Sequence, residues 1–263
     1  MASSLLVLDV ADAIATIRFN RPSALNAMTP GMIADLADML AAIDARDDIR
    51  CLVLRGEGRA FMAGGDLDYL RDAGPAAPEA ADGTIRSLNR AASTLASLSK
   101  PTIASVHGAV AGAGVSLTLA CDIAIAADDT RFVFAYDAIA AAPDGGLSWT
   151  LPKAIGMRPA LAFAMEGKPM DAQRALQLGM VTSVVPAGER DARTAELAAD
   201  FAARDTATLV RMRNLFRGGF QRSFSEQLEA ERLAFVGAAA QPAFRAAIDS
   251  FYEARRRKAE ARK

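Results

Sequence analysis

Residues 5–10 and 14–19 are rich in apolar residues and alternate with polar ones well enough to predict two strands. Alternation with a period of two is typical of half-buried strands, and the intervening Ala11-Asp12-Ala13 predicts a tight turn between them. Two short apolar runs, residues 49–54 and 102–106, predict buried strands. The chain therefore begins with sheet-forming segments.

Helical patterns separate these strands. Thr29-Pro30 places a hydroxyl cap and a first-turn proline before an apolar spacing that continues to about Ile43. Alternating strands and helices predict βαβ units and a mainly parallel sheet. The segment Gly74-Pro75-Ala76-Ala77-Pro78 interrupts the pattern and predicts a mobile loop.

Strand signals end at about Asp191, and amphipathic helices are predicted over roughly 221–236 and 242–260. We therefore expect a core over residues 1–190 and a helical region over residues 191–263. The cationic segment Arg255-Arg256-Arg257-Lys258, with Arg262 and Lys263, is interpreted as a solvated helix end. A site for a ligand phosphate is the alternative.

Composition narrows the class of protein. The 263 residues are 52% apolar and carry a net charge of −1, which gives no support for nucleic acid as a partner. Cys51 and Cys121 lie in apolar runs and are predicted to be buried and unpaired. A single histidine, His107, excludes a His-rich metal site. Neither a signal peptide nor a membrane span is predicted, so we expect a cytoplasmic protein.

Two glycine-bearing turns are the most informative feature of the chain. Residues 60–67 and residues 107–114 each follow an apolar strand and lead into a helical pattern. Such turns can direct two backbone N–H groups at one carbonyl oxygen, which is the geometry of an oxyanion hole. The pattern therefore favours chemistry on an acyl group. A nicotinamide site is disfavoured, because Leu117 stands where the third glycine of that fingerprint would be.

Four motifs together resemble the crotonase (enoyl-CoA hydratase/isomerase) superfamily. They are Asn20-Arg21-Pro22-Ser23-Ala24-Leu25-Asn26-Ala27-Met28, Phe61-Met62-Ala63-Gly64-Gly65-Asp66-Leu67, His107-Gly108 through Cys121-Asp122-Ile123-Ala124, and Pro143-Asp144-Gly145-Gly146-Leu147. The resemblance implies an α/β fold, a spiral of ββα units followed by a C-terminal helical trimerisation region. It implies a coenzyme A thioester as substrate, with no other cofactor and no metal. It also implies that the N–H groups of Gly65 and Ala113 form the oxyanion hole.

The chain departs from the hydratases of that superfamily. Those enzymes activate water with two glutamates, and the corresponding positions here are Ser116 and Tyr136. Hydration by two glutamates is therefore disfavoured. Tyr136 and Trp149 are expected to line the acyl pocket or lie in the core. Ser116 has no evident base beside it and is not expected to be a nucleophile.

Asp144 remains as the candidate acid/base. In superfamily isomerases a carboxylate often occupies this position, and one carboxylate suffices for a 1,3-proton shift. The alternative for Asp144 is an N-cap or Asx turn before the helix that follows. Asp66 is expected to cap the helix that begins at Leu67, and His107 to be a buried, hydrogen-bonded residue.

The resemblance also implies where coenzyme A binds. Those positions are Arg21, Ser23, Ala24 and Leu25, with Ala63, Gly64, Gly65, Asp66 and Leu67 along the thioester. Phe251 and Arg255 correspond to positions that touch the nucleotide of a neighbouring subunit, in a homotrimer or a dimer of trimers.

The sequence thus favours an enoyl-CoA isomerase with Asp144 as proton shuttle. The alternatives are a hydratase with another base, a dehalogenase in which Asp144 is the nucleophile, and a subunit that binds acyl-CoA without turning it over. The small residues over 138–142 suggest a roomy pocket.

Overall fold

The first two strands form the predicted hairpin. The computed structural model describes residues 4–260, and Arg262 and Lys263 of the cationic segment lie outside them. Strands β1 (Leu6–Ala11) and β2 (Ile14–Phe19) pair antiparallel, from Leu6 opposite Phe19 to Ala11 opposite Ile14. Asp12 and Ala13 both have positive φ, 51° and 62°, as a two-residue turn with the twist of the strands requires.

Two sheets form the core. The six-stranded sheet has the order β1, β2, β3 (Cys51–Gly56), β5 (Thr102–Val106), β7 (Ile123–Ala127) and β10 (Ser183–Val185), and all its pairs after the hairpin are parallel. The four-stranded sheet has the order β4 (Ala60–Met62), β6 (Ala109–Ala111), β8 (Arg131–Val133) and β9 (Met170–Asp171). The chain passes directly from a strand of the first sheet to a strand of the second and returns through a helix, so successive ββα units produce the expected spiral.

Helices cover the sheets and continue beyond them. They are α1 (Pro30–Asp44), α2 (Leu67–Ala73), α3 (Ala77–Ser97), α4 (Ala113–Ala120), α5 (Leu147–Ile155), α6 (Met157–Glu166), α7 (Ala172–Leu178), α8 (Arg190–Ala203), α9 (Thr206–Gly219), α10 (Phe224–Ala239) and α11 (Pro242–Glu260). No helix within residues 4–260 has both the length and the apolar character needed to cross a bilayer.

The predicted start of α1 is confirmed, and the predicted loop after α2 is wrong. Thr29 caps α1, since its hydroxyl accepts a hydrogen bond from the Met32 N–H at 3.2 Å. Residues Gly74–Ala76 form a 3₁₀ turn, and α3 begins at Ala77 with Pro78 in its first turn. Proline is tolerated there because the first N–H groups of a helix have no intrahelical partner. The Gly-Pro segment is therefore a helix start rather than a mobile loop.

Both cysteines are buried and neither forms a disulfide, as predicted. Burial raises the pKa of the Cys51 thiol to about 12, so this sulfur stays protonated and behaves as a small apolar group.

The chain falls into two compact units, one ending at Ala203 and the other beginning at Arg204. The first contains both sheets and also α8, which packs against β3, β5 and β7. The division therefore follows α8, whereas the sequence pattern places it at about residue 190, where the strands end. In the second unit α10 contacts α9 and α11, and the rings of Phe235 and Phe244 meet edge to face at 5.8 Å.

Candidate active site

The two glycine-bearing turns lie side by side because their strands are neighbours. Strand β4 pairs parallel with β6, with Ala60 opposite Ala109 and Met62 opposite Val110. The chain leaves β4 through Gly64 and Gly65 into α2, and leaves β6 through Gly112 into α4. Parallel strands end at the same edge of a sheet, so both turns reach one place.

The approach of the two turns depends on their glycines. Gly64 has φ +95° and Gly112 has φ +49°, a region that residues with a side chain rarely occupy. A methyl group on Gly112 would lie 3.8 Å from the Cα of Gly64 and 3.7 Å from the hydroxyl of Tyr136. A methyl group on Gly112 would make only ordinary van der Waals contacts, so glycine is required at these positions by backbone conformation rather than by space.

Two backbone N–H groups remain available at these turns. Met28 bridges to Gly65, but the bonds of this bridge run from the Met28 N–H to the Gly64 carbonyl and from the Asp66 N–H to the Met28 carbonyl. The bridge leaves the Gly65 N–H unused. Ala113 is the first residue of α4, so its N–H has no intrahelical acceptor. Its φ is not positive, so alanine is unstrained at this position.

A short loop holds the first turn in place. Arg21 forms an ion pair with Asp66 at 2.6 Å and also donates to the Ala27 carbonyl. Asp66 caps α2, as predicted, by accepting from the Asp68 N–H at 3.0 Å. Asn26 is fully buried and donates to the carbonyls of Glu57 and Ala60.

Asn26 has φ +58°, and sequence reasoning assigned it no role. A signal was present, since asparagine is among the residues most tolerant of this conformation.

Asp144 faces Tyr136 rather than the helix after it. The Tyr136 hydroxyl donates to Oδ1 of Asp144 at 2.7 Å. Helix α5 begins at Leu147, its N-cap is Gly146, and it has no side-chain cap. The N-cap alternative for Asp144 is therefore wrong, because Gly146 occupies the N-cap position and no side chain caps the helix. Asp144 contacts the start of the helix only through its backbone, since its carbonyl accepts a hydrogen bond from the Leu147 N–H.

Burial controls the ionisation of this pair. Burial raises the pKa of Asp144, and the hydrogen bond from Tyr136 opposes that rise only in part. Burial, followed by the charge of Asp144, raises the pKa of Tyr136 far above its ordinary value. The phenol therefore keeps its proton, so it acts as the donor and the carboxylate acts as the acceptor.

Ser116 reaches the same segment from α4. Its side chain is fully buried, and its hydroxyl donates to the Asp144 carbonyl at 3.0 Å. Gly145, with φ +57°, permits this contact, since a methyl group there would lie 2.9 Å from the Ser116 Cβ. From the sequence, Ser116 stands at a hydratase glutamate position and is discounted as a nucleophile, but this contact is not predicted.

A cavity of about 200 Å³ connects these groups. It is lined by Met28, Ala63, Gly64, Gly65, Asp66, Leu67, Tyr69, Leu70, Ala81, Thr84, Ile85, Gly112, Ala113, Ala135, Tyr136, Ile139, Ala141, Ala142 and Asp144. The structure thus brings together the two turns, Tyr136 and Asp144. Within residues 4–260, no group of three or more His, Cys, Asp or Glu side chains could hold a metal ion.

The other predicted site residues lie elsewhere. Arg21, Ser23, Ala24 and Leu25 belong to the loop before Met28 and do not line this cavity. Phe251 and Arg255 are exposed on α11 of the second unit.

Trp149 and His107 also lie outside the cavity lining. The prediction for Trp149 is wrong, because its side chain is 50% exposed and lies under the Lys153 ammonium. Lysine four residues later attracts the ring to the helix surface. The prediction for His107 is confirmed, since the side chain is buried and its Nε2 donates to the Gly58 carbonyl at 2.8 Å.

The spiral of ββα units, with two adjacent N–H-bearing turns beside the carboxyl group of Asp144, defines an acyl-CoA enzyme of the crotonase superfamily. The family model for enoyl-CoA hydratase/isomerase matches residues 9–261. The chain belongs to this family.

Known relatives differ in the reaction they catalyse. The chain is 37% identical to a 1,2-epoxyphenylacetyl-CoA isomerase of Escherichia coli strain K12, over 85% of this chain and 86% of the relative. It is 32% identical to a 4-chlorobenzoyl coenzyme A dehalogenase of an Arthrobacter species, over 83% of this chain and 78% of the relative. The crystal structure of an enoyl-CoA hydratase from Polaromonas sp. JS666 superimposes with a TM-score of 0.90 at 32% identity, over 94% and 96% of the two chains.

Proposed function

We propose that this protein is an enoyl-CoA isomerase that moves a carbon–carbon double bond along the acyl chain of a coenzyme A thioester. The observation that carries the proposal is Asp144, the carboxyl group of the cavity lining that forms no ion pair in the described structure, in the cavity that the Gly65 and Ala113 turns line. A 1,3-proton shift needs one group that both removes and returns a proton, and an oxyanion hole for the intermediate.

The proposed reaction follows from this arrangement. The thioester carbonyl accepts hydrogen bonds from the Gly65 and Ala113 N–H groups. The Asp144 carboxylate removes a proton from C2 of a 3-enoyl chain, and the electron pair moves onto the carbonyl oxygen as a dienolate. The protonated Asp144 then returns the same proton to C4, and the double bond reforms between C2 and C3. A pKa raised by burial supports this role, because it brings the carboxyl group closer to the pH at which it can both accept and give a proton.

Other features of the cavity support isomerisation over hydration. The second acidic residue of the lining, Asp66, is paired with Arg21 and caps α2. Its pKa is lowered, since burial raises it but the hydrogen bonds from Arg21 and from Tyr69 N–H lower it more. A carboxylate held in this way is a poor base for activating water.

The proposal also covers where coenzyme A binds and how the subunits assemble. Arg21, Ser23, Ala24 and Leu25, on the surface loop before the first turn, would contact the adenine and pantetheine groups. Phe251 and Arg255 of a neighbouring subunit would reach the nucleotide in a homotrimer. The exposed aromatic side chains of the second unit, Phe216, Phe220, Phe224 and Phe235, support association between subunits. Sedimentation velocity with and without acyl-CoA tests the assembly.

The test of function is turnover of 3-enoyl-CoA and 2-enoyl-CoA substrates by the wild type and by Asp144→Asn. We expect isomerisation without water addition in the wild type and a loss of about 10²–10⁴-fold in the variant. Mass and retention time separate an isomer from a hydrated product. Water addition would identify a hydratase. Binding without any turnover across the substrate panel would identify a subunit that only binds acyl-CoA.

A further inference from the structure

Asp144 is held from two sides by the residues at the two positions where related hydratases carry glutamates. Tyr136 donates to its carboxyl oxygen Oδ1, and Ser116 donates to its backbone carbonyl. The two hydroxyl groups therefore form a cradle for the side chain and main chain of the same residue.

The cradle is tied to the oxyanion hole by α4. Ser116 lies on this helix, three residues after Ala113, and the Tyr136 ring lies 3.7 Å from where a methyl group on Gly112 would be. A displacement of α4 would move the Ala113 N–H and the cradle together. The cradle thus fixes the distance between the acid/base and the carbonyl oxygen of a bound thioester.

The two oxygens of Asp144 are not equivalent in this arrangement. Oδ1 accepts a hydrogen bond from the Tyr136 hydroxyl at 2.7 Å, and the residue's own backbone N–H also bonds to the carboxyl group, whereas no side chain that the structure describes donates to Oδ2. A carboxylate oxygen that already accepts a strong hydrogen bond is the less basic of the two. Oδ2, to which no other side chain donates, is therefore the oxygen available to a substrate proton.

We propose that Tyr136 is a positioning residue that, by donating to Oδ1 of Asp144, selects Oδ2 as the oxygen that carries the substrate proton. This inference rests on the proposed function of Asp144. Tyr136 itself transfers no proton, because the Asp144 carboxylate and burial both hold the proton on the phenol. The other titratable side chains lining the cavity are Asp66, which is paired with Arg21, and Tyr69.

The test is the pH profile of kcat and kcat/KM for Tyr136→Phe, which removes the hydroxyl and keeps the ring. We expect kcat to fall about tenfold to a hundredfold with KM changed little, since the lost bond is one to a charged group. We also expect the acidic limb of the profile to move to higher pH, because the hydrogen bond from Tyr136 lowers the pKa of Asp144. The exposed Tyr252→Phe serves as the matched control and should leave both unchanged.

Two outcomes separate this inference from the proposed function. If Asp144→Asn is inactive while Tyr136→Phe retains the wild-type kcat and pH profile, the positioning role is wrong and the shuttle stands. If Asp144→Asn keeps wild-type isomerisation, the shuttle itself is wrong. Ser116→Ala provides a second variant should Tyr136→Phe fail to fold. It removes the bond to the Asp144 carbonyl and a hydrogen bond to Tyr136, so it should lower kcat, and a wild-type kcat in this variant would contradict the positioning role.

Discussion

Arg21 and Asp66 lie 45 residues apart in the chain and form an ion pair of 2.6 Å beside the first glycine-bearing turn. The same carboxylate caps α2, so one side chain fixes the loop, the turn and the start of the helix. Its side chain is only 12% exposed, and its pairing is therefore shielded from solvent.

We expect Asp66→Ala to lower the free energy of unfolding by about 1–3 kcal/mol at neutral pH, since it removes a helix cap and a charged hydrogen bond. Because the pKa of Asp66 is lowered in the folded protein, this contribution is present above the unfolded value of about 3.8 and is lost as the pH falls through the folded value. Urea unfolding at several pH values measures it. Asp68→Ala, an exposed acid of the same helix turn, is the control, and an equal loss there would contradict the prediction.

Ala113→Pro tests the oxyanion hole by removing one N–H donor. Proline is tolerated at the first position of a helix, which Ala113 occupies in α4, so the fold should persist. We expect kcat to fall about 10²–10³-fold. Thr206→Pro, at the first position of α9, controls for the effect of proline and should leave kcat unchanged. A folded Ala113→Pro protein with wild-type kcat would place the oxyanion elsewhere.

Asp144→Asn should stabilise the protein at neutral pH. Since burial raises the pKa of Asp144 above its ordinary value of 3.8, the folded protein binds this proton more tightly than the unfolded chain. Ionisation above the folded pKa therefore costs stability, and that cost is absent below about pH 3.8. We expect a gain of about 1 kcal/mol near neutral pH, as is common where function is traded for stability. The gain should shrink as the pH is lowered, and a gain independent of pH would contradict the explanation.

Ala81→Leu tests the cavity as the acyl site. Ala81 lies on α3 and lines the cavity of about 200 Å³, so a larger side chain there should exclude long or branched acyl chains first. We expect kcat/KM for a bulky enoyl-CoA to fall at least about tenfold relative to that for a four-carbon substrate. Asn89→Leu, exposed on the same helix, should leave the ratio unchanged. A uniform fall for all chain lengths would point to a general distortion instead.

Short-range sequence patterns were sufficient to predict most strands and helices and to identify the family. The alternation in β1 and β2, the Thr29-Pro30 start of α1 and the glycines of the two turns are each properties of a few neighbouring residues. Backbone conformation responds directly to such short-range constraints, so these predictions hold to within a few residues. The exception is the segment around Gly74–Ala76, where the pattern predicts a loop. It leads into the start of α3, because proline is common in the first turn of a helix as well as in loops.

The sequence by itself determined the fold, the two turns and the candidate role of Asp144. Only the tertiary structure decided that Tyr136 and Ser116 hold Asp144, that Arg21 holds Asp66 and that Trp149 lies at the surface. These contacts join residues on different elements, and each depends on how whole helices and strands pack. A pattern along the chain reports which face of an element is buried, but the partner of a buried polar group is set by packing in three dimensions.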